Sequence, residues 1–114
     1  MVTRVIKTSV MKEPCRFDPY VLDTLLPDLV GHDRQPSAFL VYLYLADRVT
    51  RGRVRACAAS LRTFAVDTGL SKSAIQRGLR TLVRRKLVRV DRRSPTAVPV
   101  YTPLRPWARR ERAV

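Results

Sequence analysis

The stretch Ser60-Leu61-Arg62-Thr63-Phe64-Ala65-Val66-Asp67-Thr68-Gly69-Leu70-Ser71-Lys72-Ser73-Ala74-Ile75-Gln76-Arg77-Gly78-Leu79-Arg80-Thr81-Leu82-Val83-Arg84-Arg85-Lys86-Leu87 carries its own start and stop signals. Ser60 is a good N-cap, because its hydroxyl can accept from a free first-turn amide. A short helix over Leu61–Thr68 follows, burying Leu61, Phe64 and Ala65. Gly69 stops it, since glycine takes the left-handed conformation at low cost. Leu70 plugs the turn, and Ser71 caps a second helix at once. That helix is expected to run to Lys86. Ile75, Leu79, Leu82 and Val83 form its apolar stripe. Lys72, Ser73, Gln76, Arg77, Arg80 and Arg84 occupy the other side. Gly78 in mid-helix costs about 1 kcal/mol against alanine, and close packing of another helix is a reason to keep it.

A short capped helix, a three-residue turn and a longer amphipathic helix make a helix-turn-helix. In such a motif only the first turns of the second helix reach base edges, while later residues meet the backbone. The candidate base-reading residues are therefore Ser71, Lys72, Ser73, Gln76 and Arg77, on a recognition helix over 71–86. Glutamine can pair bidentately with adenine and arginine with guanine. Ser60, Arg62, Arg80 and Arg84 are candidates for phosphate contact, and Arg55 is placed to approach it from a flanking segment.

Residues 64–82 of this stretch resemble the winged helix-turn-helix of bacterial and phage regulators, MarR-like and GntR-like repressors, and the DNA-binding domains of some replication initiators. The matching features are an alanine five residues before the turn leucine, Gly69-Leu70-Ser71 itself, the buried Ile75, and a leucine-rich end before a basic hairpin. The resemblance covers about residues 36–102. It implies a mainly α fold with a small β-hairpin wing at 92–97, whose Arg92 and Arg93 touch phosphates or the minor groove. Gly78 departs from the alanine expected there, and no effector domain follows.

Outward from the motif, the N-terminal side gives a mixed arm over 1–16 with a weak strand signal at Thr3–Met11. Asp18-Pro19 can start a helix whose apolar side is Tyr20, Leu22, Leu25 and Leu26. Pro27 is expected to end it, with a loop over Gly31–Arg34. The next helix runs from Gln35-Pro36 to about Thr50. Its nine consecutive apolar residues, Ala38 to Ala46, cover every side, so it must be buried on more than one. The expected second cover is another copy of the chain, in a homodimer through Phe39, Tyr42, Leu43 and Ala46 helped by the 19–26 segment; the alternative is that the N-terminal arm folds back over the exposed side and makes a compact monomer. A strand over Arg53–Ala58 is expected before the motif. After it come a strand over Leu87–Asp91, the Arg92–Ala97 turn, and a returning strand over Val98–Thr102, expected at an edge because Pro99 cannot donate a ladder bond. The division is thus an arm and short helix over 1–35, the winged domain over 36–102, and a basic tail over 103–114 expected to be flexible, with Trp107 a candidate for docking.

Charge supports the functional reading. The 114 residues carry a formal net charge of +14. Residues 1–47 hold five basic and six acidic side chains, and the remainder eighteen basic and three acidic. Nineteen of the twenty-three basic residues are arginine, but an arginine-rich genome does not explain an excess confined to one part of the chain. Double-stranded DNA is the natural partner. No apolar run approaches the ~18–20 residues of a membrane span, and Arg4 and Lys7 break the N-terminal stretch, so the expected setting is cytoplasmic. Cys15, Cys57 and His32 form no metal-spaced cluster. No catalytic set, cofactor loop or small-molecule site is evident, and no enzyme is expected. The reading is a sequence-specific DNA-binding protein, expected to regulate transcription. A plasmid or phage replication or partition protein is the alternative within the class, and a winged-helix protein–protein module the alternative outside it. The latter expects an apolar or acidic face where this chain is basic. RNA suits such a helix poorly, because its major groove is deep and narrow.

Overall fold

The computed structural model describes residues 13–108. The expected strand at Thr3–Met11 and the end of the tail, 109–114, lie outside them. Two π-helical segments, Val21–Leu25 and Pro27–His32, lead into α1 (Pro36–Gly52). Then come β1 (Cys57–Ala58), α2 (Leu61–Thr68), α3 (Lys72–Arg84), β2 (Val88–Asp91) and β3 (Val100–Pro103). Three helices followed by a small antiparallel sheet make a winged helix-turn-helix.

The α2–turn–α3 unit forms as its local signals require. Ser60 Oγ accepts from the Thr63 amide and Ser71 Oγ from the Ala74 amide, both at 3.1 Å. Gly69 sits at φ +81°. Thr68 Oγ1 donates to the Phe64 carbonyl at 2.7 Å and accepts from the Leu70 amide at 3.1 Å, fixing the turn from inside. The helix ends at Arg84, two residues before the expected Lys86. Lys86 takes φ +59°, which turns the chain back so that the Leu87 amide reaches the Leu82 carbonyl at 2.8 Å and Leu87 enters the core. Ile75, Leu79 and Leu82 are buried as expected, but Val83 is exposed.

Helix α1 is the middle of the molecule, with α3 on one side. A Cβ on Gly78 would stand 3.1 Å from Ala38 Cα, 3.1 Å from Ala38 N and 3.2 Å from Ser37 C. Backbone therefore meets backbone where α3 crosses the start of α1. On its other side α1 meets the N-terminal region, and here two expectations fail. Pro27 does not end the helical run. It opens the second π-helical segment, and the chain stays helical to His32. Val21, Leu25 and Leu29 of this run are buried. In consequence Phe39 and Tyr42 are sealed inside one chain, and Leu43 and Ala46 are half-buried. The premise for a dimer on these four residues, an uncovered side of α1, does not hold.

The chain beyond β3 completes that cover. Trp107 is buried, stacks on Tyr20 with ring centroids 4.5 Å apart, and donates Nε1–H to Asp18 at 2.8 Å. That hydrogen bond, then those from Arg105, hold the Asp18 carboxyl below its ordinary pKa against the opposing effect of burial. Tyr42 OH donates to the Leu104 carbonyl at 2.9 Å, and burial raises its pKa so that it stays a donor.

The sheet order is β1-β3-β2, antiparallel throughout. The returning strand is therefore central, not at an edge. Pro99 escapes the restriction by lying just before β3, where only its carbonyl is used, accepting from the Ala59 amide at 3.2 Å. The first strand shrinks to two residues, and Val54 is exposed. The loop between β2 and β3 spans 92–99, two residues longer than the turn expected at 92–97.

Because the atoms facing Gly78 are backbone atoms of a packed helix, Gly78→Ala should not yield the usual helix-propensity gain. The expected outcome in urea denaturation is a loss of up to about 2 kcal/mol, the overpacking cost of about 1–3 kcal/mol exceeding a gain near 1. A rise in stability of about 1 kcal/mol would show that α1 yields.

Candidate nucleic-acid interface

With Ile75, Gly78, Leu79 and Leu82 turned inward, helical geometry leaves Ser73, Gln76, Arg77, Arg80 and Arg84 along the outer side of α3 at spacings of three and four. All five are exposed, as are Ser71 and Lys72 at its start. The sequence-predicted base-reading residues thus share the accessible first turns of one helix. Ser71 and Ser60 also serve as N-caps.

A groove of 560 Å³ runs between α3 and the β2–β3 loop. Its walls bring together residues distant in sequence: Ser60 and Arg62 from the start of α2, Gln76 and Arg80 from α3, and Arg92 from the loop. Sequence reasoning singled out all five but had no means of assembling them. It missed the apolar floor, made by Leu79, Tyr101, Val98 and Pro99. The loop is held by its own contacts, Arg92 Nη1 to the Pro95 carbonyl at 3.2 Å and the Ala97 amide to the Ser94 carbonyl at 3.1 Å. Arg93 lies on its other side with Asp91, Val98 and Val100. Lys72, Ser73, Arg77 and Arg84 do not line this groove, and Arg55 is exposed in the loop before β1.

The distribution of ion pairs is as informative as that of the cations. Arg48 pairs with Asp67 at 3.6 Å, Arg51 with Asp47 at 2.5 Å, Arg89 with Asp91 at 3.4 Å and Arg105 with Asp18 at 2.8 Å. Arg85 takes Asp33 at 2.7 Å and Asp28 in a shorter bond. Among the described residues no carboxylate lies within 4 Å of the charged nitrogens of Arg62, Lys72, Arg77, Arg80, Arg84, Arg92 or Arg93. These acids pair with arginines of α1, β2, the end of α3 and the segment after β3, and the cations of this face, like the exposed Arg16, Arg34, Arg53, Arg55 and Lys86, are left without an acidic partner among the described residues.

Two scaffold clusters set the motif against α1 and the N-terminal region. Tyr44 OH donates to Asp67 at 2.5 Å while Arg48 lies over the Tyr44 ring, 5.4 Å from its centroid, which ties α2 to α1. At the end of α3, Arg85 ties the motif to the N-terminal helical region. His32 Nδ1 also lies 2.9 Å from Asp33 Oδ1. Hydrogen bonds from His32 and then Arg85 hold the Asp33 carboxyl below its ordinary pKa against the opposing effect of burial. Asp28, His32 and Asp33 bring their ligand atoms within 4.8 Å of one another, but Arg85 already occupies that acidic cluster. The two adjacent arginines, Arg84 and Arg85, thus have opposite roles, a distinction no sequence pattern carries.

Residues 35–88 match the family model of a helix-turn-helix domain. The match takes in α1, α2 and α3 and stops at the first residue of β2, so it covers the recognition motif and leaves the wing outside. No curated protein and no solved structure matches the chain. No helix among the described residues is long and apolar enough to cross a membrane.

The contrast between neighbours gives a direct test. Arg85→Met removes the guanidinium from two partly buried carboxylates, leaving them only the exposed His32 beside them, and should cost about 1–2 kcal/mol of stability. Arg84→Met, at an exposed site without a partner, should stay within about 0.5 kcal/mol. Urea denaturation midpoints decide, and equal effects of the two substitutions would contradict the assignment of Arg85 to the scaffold.

Proposed function

We propose that this protein binds double-stranded DNA sequence-specifically, with α3 in the major groove. In this reading Ser71, Lys72, Ser73, Gln76 and Arg77 meet base edges. One phosphate strand passes along the groove between α3 and the wing, where Arg62, Arg80 and Arg92 face it. The first-turn amides of α2 behind Ser60 add a favourable field for an anion. Arg84 and Arg93 extend the backbone contact on either side. The single observation that carries the reading is the unneutralised cationic face, built on a helix-turn-helix in a chain six of whose seven aspartates pair with other arginines. Such a surface gains affinity by displacing counterions from DNA.

Regulation of transcription is the role we infer, because a compact sequence reader without catalytic machinery acts by occupying its site. Occupancy serves a replication or partition site equally well, and the same surface fits that second role. The exposed cations of α3 favour a polyanion over the apolar or acidic surface that a winged-helix protein–protein module uses.

Duplex affinity measured at several salt concentrations tests the electrostatic core. With roughly six phosphates contacted, log K should fall against log salt with a slope near −5. A flat dependence, or no binding at low salt, would contradict it.

Reading and positioning should also separate. Gln76→Ala or Arg77→Ala is expected to cost about 1–3 kcal/mol on a selected site and to relax preference at one or two base pairs. Arg80→Ala or Arg92→Ala should weaken selected and random duplexes by similar factors and flatten the salt slope by about 1 each. Equal losses on both duplexes for the Gln76 and Arg77 variants would sink the base-reading assignment.

A further inference from the structure

Two surfaces on different parts of the chain are both apolar and differ in the charge at their borders. The first is a stripe on the N-terminal helical region. Val21, Leu25 and Leu29 face the core at a spacing of four, and Leu22, Leu26 and Val30 follow one residue behind at the same spacing. Leu22 is 54% exposed and Val30 37%. Asp23 beside them is exposed. Residues 18–33 hold four aspartates and neither lysine nor arginine. Asp18 pairs with Arg105, and the single Arg85 guanidinium is shared by Asp28 and Asp33, so Asp23, beside Leu22, is the aspartate of this region left without a basic partner among the described residues.

The second surface is a groove of 530 Å³ along the C-terminal half of α3, floored by Leu79, Val83, Val90 and Tyr101 and rimmed by Arg80 and Arg84. Val83 is 44% exposed and Val90 37%. The rim arginines have no acidic partner among the described residues. The groove is thus apolar with a positive border, and the stripe apolar with a negative one.

We propose that a second copy of this chain seats its Leu22–Leu26–Val30 stripe in this groove, with Asp23 toward the Arg80–Arg84 rim. Apolar anchors about four residues apart are what a helix offers to a groove, and opposite charges at the border favour that docking over a stripe-to-stripe contact. The contact is heterologous: each copy donates a stripe and accepts another, so a pair keeps one free surface of each kind and assembly continues with concentration. The inference does not rest on the DNA reading, and its test contains no DNA.

Sedimentation equilibrium of the full chain at low ionic strength is the experiment. The weight-average mass should rise from 13.0 kDa with concentration, pass that of two chains, and fall back as salt is added. Leu22→Lys spoils the stripe and keeps the groove; Val83→Asp does the reverse. Each variant alone should stay monomeric, while their equimolar mixture should form a one-to-one complex that grows no further. Both positions are exposed, so thermal unfolding should match the parent. If either charged variant fails to fold, Leu22→Ser and Val83→Ser replace the pair in the same measurements. A parent monomeric at all concentrations would overturn the proposal. So would a closed two-chain species, or variants whose mixture fails to associate.

Discussion

The close approach of α3 to the start of α1 governs the rest of the molecule. At Gly78 the two helices meet backbone to backbone, with Ala38 as the opposing small residue. That crossing sets which side of α3 faces the core and therefore which side faces outward. It also uses up one flank of an apolar helix, leaving the other to be covered by something else. The N-terminal helical run and the Trp107 segment provide that cover. Burial of Phe39, Tyr42 and Leu45 on α1, with Phe64 against Tyr101 at a ring separation of 5.2 Å, then joins the three helices and the sheet in one core.

Given that scaffold, the electrostatics follow from where the aspartates fall. An arginine-rich chain must either leave its cations in water or pair them. Here Asp18, Asp28, Asp33, Asp47, Asp67 and Asp91 pair with arginines at element ends and on the sides of α1 and β2. Such partly exposed pairs contribute modestly to stability. Their greater consequence is placement: the arginines on the outer side of α3, at the start of α2 and in the wing loop form no ion pair among the described residues, and Asp91 beside the loop is taken by Arg89. A helix-turn-helix with an open cationic face and an apolar-floored groove beside it has the polarity and form that a phosphate backbone and a row of base edges present in reverse.

Much of this was legible in the sequence, and what was legible was local. Ser60, Gly69 and Ser71 fix the bounds of α2 and the start of α3, because caps and left-handed glycines act within a few residues. The inward stripe of Ile75, Leu79 and Leu82 follows from helical period alone. The misread features were all tertiary. Pro27 looked like a stop, but the chain runs on through it into a second π-helical segment whose Leu29 is buried. Pro99 argued for an edge strand, but β3 begins one residue later and takes the centre of the sheet. Val83 kept the helical period of the core yet is exposed, beside an open groove that it lines with Val90 and Tyr101. The nine apolar residues of α1 correctly announced burial on two sides; that the second cover came from residues 19–32 and Trp107 of the same chain depends on contacts far apart in sequence. For the candidate interface, residue types and the helix carrying them were readable, whereas the groove joining Arg62, Arg80 and Arg92, and the withdrawal of Arg85 into the scaffold, required the fold.

The central claim is that the unneutralised face of α3 and the wing meets duplex DNA. Backbone amide shifts, followed by NMR while a selected duplex is added, test it residue by residue. The largest changes should fall at 71–77 and 92–98, with a smaller response at Ser60 to Arg62 and little change over 19–32, which covers the other side of α1. Changes centred on 19–32, or a uniform weak response without a focus on α3, would contradict it.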